Sequence, residues 1–191
     1  MFKYNLTSMK TLKAVAEKPL DEKSVDKNKI KELCKYPDLL KKLDSWILSP
    51  DRKLLPYIVK LGKIIDNMYN LKDIIIFRGM SVGFISFGQQ YMGLVDKTLF
   101  GGTKLKKGVV PGYKFDYTPA DPISFSWDQE IAMAFGNLVV SCISKKSSPR
   151  LVITDELNLI ISKMRNIVPV TQREVICFPQ AKLSCKVVSI S

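Results

Sequence analysis

The sequence predicts an α+β fold in a single domain, 1–191, whose N-terminal portion, 1–70, is helical and whose remainder, 71–191, is rich in strands. Up to Asn70, apolar residues recur every three or four positions, which is the spacing of amphipathic helices. From Asp73 onward, short β-branched runs alternate with glycine-containing turns, which is typical of strands. The chain is 46% apolar and 25% charged, and this composition favours a folded globular protein over a disordered one.

Three helices are predicted in the N-terminal portion. The stretch 21–36, DEKSVDKNKIKELCKY, begins with acidic residues and has lysines toward its end, which suits the dipole of a helix. In 37–49, PDLLKKLDSWILS, the large apolar residues fall on helical spacing. The segment 51–70, DRKLLPYIVKLGKIIDNMYN, carries one apolar stripe, and Pro56 is expected in its first turn.

The remainder of the chain is predicted to hold strands and two more helices. The expected strands are short apolar runs bounded by turn residues: 73–79, 113–115, 138–144, 150–154, 174–179 and 181–190, with a strand-like DPI at 121–123. The first helix should be capped by Ser126 or Asp128 and end at Gly136. It would carry four residues of the motif IAMAF, namely Ile131, Ala132, Ala134 and Phe135. A second helix is predicted over 155–165.

Histidine is absent from the chain, which excludes nucleophile systems of the Ser-His-Asp and Cys-His kinds. Any catalysis would use carboxylates, hydroxyls, amides, arginine or lysine. No run of about 18 apolar residues is present, so no membrane span is predicted. The polar N-terminus, MFKYNLTSMKTLKAVAEK, does not resemble a secretory signal. A cytoplasmic protein is therefore expected.

The four cysteines are Cys34, Cys142, Cys177 and Cys185, and no two of them form a CxxC pair. A zinc site would need most of them to converge, which this spacing does not favour. The last three lie in apolar strands and are expected to be buried thiols. A reducing cytoplasm suits thiols of this kind.

The formal net charge is +12, from 30 basic and 18 acidic residues. The basic excess is spread evenly along the chain and does not form a tail. Two interpretations stay open. The lysines form an ordinary solvated surface, or they guide the protein toward an anionic partner such as a nucleic acid.

Polar residues interrupt apolar strands at three places. Arg78 ends the run IIIF, and its planar guanidinium suits a phosphate or a carboxylate. Ser124 and Ser126 precede a predicted helix, and Gln172 and Glu174 lie two apart where a strand begins, so that they share a face. Taken singly, these features are also explained by a surface arginine, a helix cap and an edge-strand carboxylate.

Taken together and in this order, Arg78, Ser124-x-Ser126 and Gln172-x-Glu174 resemble the Arg-Ser-Glu signature of mono-ADP-ribosyltransferases, in particular the small phage-encoded and bacterial-toxin members. The resemblance runs from about Ile74 to the C-terminus. It includes the aromatic-Arg-Gly end of a strand and a glutamate that opens the pattern EVI-x-x-P. It implies a strand-rich core of two sheets around an NAD cleft, with NAD as the consumed co-substrate and no metal.

The resemblance also assigns roles to residues of the site. Glu174 would stabilise the positive charge that develops on the ribose and would hold its 2′-hydroxyl. Ser124 would hydrogen-bond Glu174 and orient it. Arg78 would bind the pyrophosphate or the nearby ribose, and the backbone of Gly79 would meet the nicotinamide amide.

Three further residues belong to the predicted site, and two of them have alternative roles. Ser126 would either shape the NAD site or cap the helix. Phe135 would either pack on the nicotinamide ring or lie in the core. Gln172, two residues before the catalytic glutamate, would face the acceptor nucleophile. An amide cannot pair ionically with a guanidinium, so Gln172 argues against an arginine acceptor.

The expected activity is transfer of ADP-ribose from NAD to a host macromolecule, with protein as the first expectation and RNA or DNA as the second. A protein within a nucleic-acid machine would suit the basic charge. Two alternatives remain. One is a basic binding protein without catalytic activity, and the other is an NAD glycohydrolase that uses the same site with water as acceptor.

Overall fold

The computed structural model describes residues 20–21, 23–80, 111–136, 138–169 and 173–190, together with the backbone of two strands at 83–87 and 90–94. The described residues form helices and a mainly antiparallel set of strands, which confirms the α+β class.

The helices follow the predicted apolar stripes. They are α1 (Lys27–Leu33), α2 (Pro37–Leu48), α3 (Leu55–Met68), α4 (Gln129–Met133) and α5 (Asp155–Met164), with a 3-10 turn at Arg52–Leu54. The first helix is shorter than predicted because the side chain of Asp26 caps it by accepting hydrogen bonds from the amides of Asn28 and Lys29. Pro56 lies in the first turn of α3, as predicted. None of the described helices combines the length and apolar composition needed to cross a bilayer.

The strands pair into one large sheet and one small one. They are β1 (Ile74–Met80), β2 (Gly83–Phe87), β3 (Gln90–Leu94), β4 (Lys114–Tyr117), β5 (Ile123–Ser126), β6 (Leu138–Ser144), β7 (Arg150–Val152), β8 (Glu174–Cys177) and β9 (Leu183–Ile190). The large sheet has seven antiparallel strands in the order β4-β9-β6-β1-β5-β8-β7, and β2 pairs with β3 alone. Strands that are distant in sequence therefore become neighbours at its centre.

The junction between β1 and β5 is the weakest in the large sheet. On its other side, β1 pairs with β6 from Ile74 opposite Ser144 to Met80 opposite Leu138. With β5 it shares one residue pair, Phe77 opposite Ser126. That single pair joins two groups of strands within the sheet, the half-sheets β4-β9-β6-β1 and β5-β8-β7.

The N-terminal helices pack on the β5-β8-β7 half and share one apolar core with it. Trp46 of α2 meets Phe178, just after β8, edge to face at 6.1 Å between ring centroids. Gly62 of α3 lies against β7 so closely that a Cβ atom there would sit 1.9 Å from the carbonyl oxygen of Arg150. Residues 1–70 are therefore not a separate unit where they are described. Their helices complete the core of the strand-rich portion.

A buried ion pair ties α3 to the end of β6 and to β7. The Nε of Arg150 donates to the Asp66 carboxylate at 3.1 and 3.3 Å, and the exposed fractions of the two residues are 1% and 5%. The other guanidinium nitrogens donate to the carbonyl oxygens of Ser144, at 2.6 Å, and Lys72, at 2.7 Å. The buried cation is thus surrounded by acceptors, as burial of a charge requires.

The cysteine prediction was wrong for two of its three residues. Strands β6 and β9 place Cys142 directly opposite Cys185, with 4.0 Å between their Cα atoms, and the two sulfurs form a disulfide. Sequence spacing does not reveal this pairing because it depends on the register of strands 43 residues apart. Cys177 is a buried thiol, as predicted, and burial raises its pKa to about 12.

Two element ends differ from the predictions for local reasons. The helix expected to reach Gly136 ends at Met133, so Ala134 and Phe135 lie in the turn that leads into β6. The strand expected to include Thr154 ends at Val152, because the Thr154 hydroxyl accepts a hydrogen bond from the amide of Leu157 and caps α5 instead.

Candidate active site

The three motifs found in the sequence lie on three neighbouring strands. Arg78 is on β1, Ser124 and Ser126 are on β5, and Glu174 opens β8. The register aligns them, because Ser126 stands opposite Phe77 on one side and opposite Glu174 on the other. A chain that separates Arg78 from Glu174 by almost a hundred residues therefore folds them to the same level of one sheet.

Arg78 lies on β1, at the junction between the two half-sheets. Its Nη1 donates a hydrogen bond to the carbonyl oxygen of Ser124 on the facing strand. Its positive charge also reaches Tyr117, whose pKa is raised by burial and lowered in part by Arg78. Alternation along β1 puts the Arg78 side chain on the face opposite to that of Phe77, and hence opposite to that of Glu174.

Ser124 and Glu174 line one cavity of about 330 Å³ between β5, β8 and the helices α2 and α5. Most of its wall is apolar, from Leu43, Trp46, Ile47, Pro50, Ile153, Leu157, Ile161, Ile167, Val168 and Ile176. The remaining lining residues are Asn158, Ser162 and Arg165. A single carboxylate in mostly apolar surroundings acts on a bound charge more strongly than it would in water.

Among the described residues that line this cavity, Glu174 is the main source of net charge. Arg165 is engaged with Asp44, at 2.5 Å between Nε and Oδ1, and also donates to the Asp44 carbonyl oxygen at 2.9 Å. Within the described part of the chain, Glu174 forms no ion pair. Its negative charge is therefore available to a ligand that develops positive charge.

A second cavity of about 350 Å³ adjoins the first, and the two share Trp46, Pro50, Ser124 and Ile176 in their walls. Its far end is formed by Arg52 and Asp121, whose exposed side chains form an ion pair at 2.5 Å. The two cavities together make an elongated groove that runs from Glu174 past Ser124 to Arg52.

Ser126 and Arg173 have structural partners. The Ser126 Oγ accepts a hydrogen bond from the amide of Asp128 at 3.0 Å, and Asp128 itself caps α4. The same Asp128 carboxylate forms an ion pair with Arg173, and the amide of Trp127 donates to the Arg173 carbonyl oxygen at 3.0 Å. Of the two residues offered as the helix cap, Asp128 fills that position, and Ser126 fixes the turn before it.

Gly79 is required by helix packing. A Cβ atom there would lie 1.7 Å from the carbonyl oxygen of Ala132 and 3.2 Å from the Cβ of Phe135. The absence of a side chain at Gly79 therefore allows α4 to pack closely against β1. Contact of its backbone with nicotinamide stays a prediction. Phe135 is 53% exposed, so it is not a core residue, and its stacking on nicotinamide also stays a prediction.

Gly79→Ala is expected to destabilise the protein by roughly 2 kcal/mol, because the new methyl group meets backbone that cannot move without α4. Thermal unfolding followed by circular dichroism measures this. Gly112→Ala is a comparison of a different kind, because nothing lies within 4 Å of the new Cβ and its φ of +96° makes any loss a backbone effect. A Gly79→Ala variant as stable as the parent protein would contradict the packing role.

Three of the residues that line the groove were not predicted from the sequence, and one predicted residue cannot be placed. Trp46, Asn158 and Ser162 were missed because each sits on an ordinary amphipathic helix. The two polar residues on the apolar stripe of α5 were the available signal, since buried polar side chains there call for a reason. Gln172 lies outside the described residues.

Within the described part of the chain, no group of three or more metal-ligating side chains comes together. Comparison of the chain with models of protein families, with curated proteins and with solved structures found no match. Function is therefore inferred from this chain's own residues and from their arrangement.

Proposed function

We propose that the protein is a mono-ADP-ribosyltransferase that cleaves NAD and transfers ADP-ribose to a host macromolecule. The observation that supports it best is the register Phe77–Ser126–Glu174 across β1, β5 and β8. It brings the strand of Arg78 and the strand of Glu174 to either side of Ser124, with the Arg78 side chain on the opposite face of the sheet from that of Glu174. The described strands form one seven-stranded sheet and one two-stranded sheet, and the two-sheet cleft that the resemblance implies is part of the proposal.

The proposed reaction breaks the bond between nicotinamide and the ribose carbon C1′. The bonding electron pair leaves with the nicotinamide nitrogen, so that this ring becomes neutral, and positive charge develops on the ribose. The carboxylate of Glu174 stabilises that charge. The acceptor then bonds to C1′ through a lone pair and loses its proton to solvent water. Because the leaving group is neutral when it departs, no strong general acid is needed, which suits a chain without histidine.

The groove fits parts of NAD of suitable chemistry. The cavity beside Glu174 is near the lower limit of about 300 Å³ for ligand pockets, so it suits nicotinamide and its ribose but not the whole dinucleotide. The adjoining cavity extends the groove past Ser124. Arg78 is not among the described lining residues of either cavity, but it contacts the Ser124 backbone and is the candidate for the pyrophosphate or the nearby ribose.

The acceptor is proposed to be a protein side chain other than arginine, because Gln172 carries an amide and no charge. The proposed location is the cytoplasm of the producing or target cell, where NAD and such targets occur. The Cys142–Cys185 disulfide is the observation that weighs against a reducing compartment.

Arg78→Ala is expected to weaken NAD binding about 10- to 100-fold, the usual effect of losing a charge-assisted hydrogen bond. Isothermal titration calorimetry with NAD measures this. Arg78→Lys keeps the positive charge but loses the planar guanidinium, so its NAD affinity should lie between that of the parent protein and that of Arg78→Ala. Unchanged NAD affinity in a folded Arg78→Ala protein would rule out a phosphate contact for Arg78.

The proposed function is tested by incubating the protein with labelled NAD and a cell lysate, beside Glu174→Gln. Samples are treated with nuclease or with protease before separation. Label that depends on Glu174 and survives nuclease but not protease supports a protein-modifying transferase. Label removed by nuclease moves the target to RNA or DNA. Free ADP-ribose without a labelled target indicates a glycohydrolase. No nicotinamide release with any lysate would leave a binding protein without catalytic activity.

A further inference from the structure

The segment from α2 into α3 concentrates positive charge. Residues 41–63 contain six basic and two acidic residues, for a net charge of +4, which is a third of the net charge of +12 of the whole chain. Both acidic residues are engaged: the Asp44 carboxylate pairs with Arg165, and that of Asp51 accepts a hydrogen bond from the amide of Lys53 at 2.8 Å. Neither carboxylate therefore pairs with a lysine side chain of the segment.

Four of these lysines lie around one exposed aromatic ring. The Nζ of Lys42, on α2, is 4.2 Å from the centre of the Tyr57 ring, on α3. Lys53, in the 3-10 turn that leads into α3, precedes Tyr57 by about one turn, and Lys60 follows it by about one turn, so the three share a side of the helix. Lys63 lies one turn beyond Lys60. These five residues form the basic surface, on which Tyr57 is 42% exposed.

The charges of the basic surface are not neutralised within the protein. In the part of the chain that the structure describes, none of its four lysines forms an ion pair. On α1, by contrast, Lys29 pairs with Asp26 at 4.0 Å and Lys35, just after that helix, pairs with Glu32 at 2.5 Å. Close like charges repel one another, and an anionic partner relieves that repulsion.

The chemistry of the surface favours a single-stranded nucleic acid as that partner. Its phosphates suit the lysines, and an unpaired base offers a flat face on which an aromatic ring stacks. In a duplex the bases already stack on one another. A helix that binds an anionic membrane inserts an apolar face, but the apolar faces of α2 and α3 are buried in the core, including Leu43 and Leu61. An acidic protein would pair with the lysines but would offer no base to Tyr57.

We propose that the basic surface binds single-stranded RNA or DNA, with its lysines on the phosphates and Tyr57 stacked on a base. This binding does not require cleavage of NAD, so the inference goes beyond the proposed function. The surface adjoins the groove of the candidate active site, because Arg52, next to Lys53, lines the far end of that groove. A bound strand therefore holds the groove close to proteins assembled on the same nucleic acid.

The experiment measures the fluorescence anisotropy of a labelled single strand of about 12 nucleotides, which is within the usual span of single-stranded binding sites. RNA and DNA strands of one sequence are compared with the duplex of that sequence, at several salt concentrations and without NAD. Both single strands are expected to bind more tightly than the duplex, with an affinity that falls as salt rises. The tighter of the two strands identifies the source that the surface prefers.

The triple variant Lys42→Gln/Lys53→Gln/Lys60→Gln tests the phosphate contacts. It is expected to lower the affinity for a single strand about 30-fold and to reduce the slope of log affinity against log salt by about 2, since each lost contact accounts for about 0.7. The matched control replaces three exposed lysines on or beside β4 and β9 by glutamine, which changes the net charge equally. They are Lys114, Lys182 and Lys186. The control is expected to keep the parent slope.

Tyr57→Ala tests the stacking separately from the charge. It should lower the affinity about tenfold without changing the salt slope, and Tyr57→Phe, which keeps the ring, should bind like the parent protein. Circular dichroism checks that each variant is folded.

Four results would each overturn the proposal. They are no binding of either single strand at about 50 mM salt, a triple variant that binds like its control, full affinity in folded Tyr57→Ala, and tighter binding of polyglutamate or of vesicles with anionic lipids than of the single strands. The last would assign the surface to an acidic protein or to a membrane.

Discussion

Glu174→Gln is expected to lower the rate of ADP-ribose transfer at least about 100-fold, because the substitution removes the negative charge that faces the developing ribose cation. The cavity beside Glu174 is mostly apolar, and Arg165, the other charged residue of its lining, is held by Asp44. Among the described residues, no other carboxylate lines that cavity to take over the role. The measurement is the initial rate of label transfer from NAD at saturating substrate.

The glutamine variant is expected to stay folded. Glutamine matches the size of glutamate, and the backbone of residue 174 keeps its strand pairing with Ser126 and its hydrogen bond from Ile153. The matched control is Glu130→Gln, which neutralises an exposed carboxylate on α4 outside both cavities and should leave the rate unchanged. Full transfer by a folded Glu174→Gln enzyme would remove Glu174 from its catalytic role.

Hydrolysis of NAD in the absence of target provides a second measurement on the same variant. The charge of Glu174 acts on the ribose cation whether a macromolecule or water attacks it, so both rates should fall together. A variant that lost transfer and kept hydrolysis would assign Glu174 to the acceptor instead.

The fold class could be predicted from the sequence because its signals are local. The stripe of α3 and the β-branched run of β1 each lie within one element, and tertiary packing reinforced both. Register and strand order are not local. Nothing near Cys142 indicates that Cys185 will stand opposite to it, and the disulfide was missed for that reason.

The residues of the candidate site also divide into those that local sequence signals reveal and those that only the complete fold reveals. Arg78, Ser124 and Glu174 could be selected because each is a polar residue in or beside an apolar strand, and their order resembles a known signature. Trp46 and Asn158 could not, since each sits on a helix whose pattern is that of any core-facing helix. Their role at the cavity arises only when α2 and α5 pack beside β8, which depends on the whole fold.

The candidate site keeps a carboxylate available to a ligand, whereas a charge in the buried core requires a partner. Arg150 illustrates the buried case. Arg150→Met is expected to lower the free energy of unfolding by roughly 3–5 kcal/mol, because it leaves Asp66 buried without its cation. It also removes the donors to the carbonyl oxygens of Ser144 and Lys72. For a chain of this size the expected fall in melting temperature is roughly 10 °C. Urea unfolding followed by circular dichroism measures the free energy directly.

A pH series and a double variant identify the unpaired carboxylate as the cause. Burial already raises the pKa of Asp66, against the opposing effects of Arg150 and Lys146, and loss of Arg150 should raise it further. A carboxyl group whose pKa is raised in the folded state destabilises the protein fully above that pKa, and the penalty shrinks as the pH falls from the folded-state pKa to the unfolded-state pKa. The deficit of Arg150→Met should therefore shrink at acidic pH. Asp66→Asn added to Arg150→Met should recover part of the lost free energy of unfolding at pH 7, because asparagine carries no charge. A deficit that is the same at every pH and in the double variant would mean that the lost carbonyl contacts, and not the stranded charge, dominate.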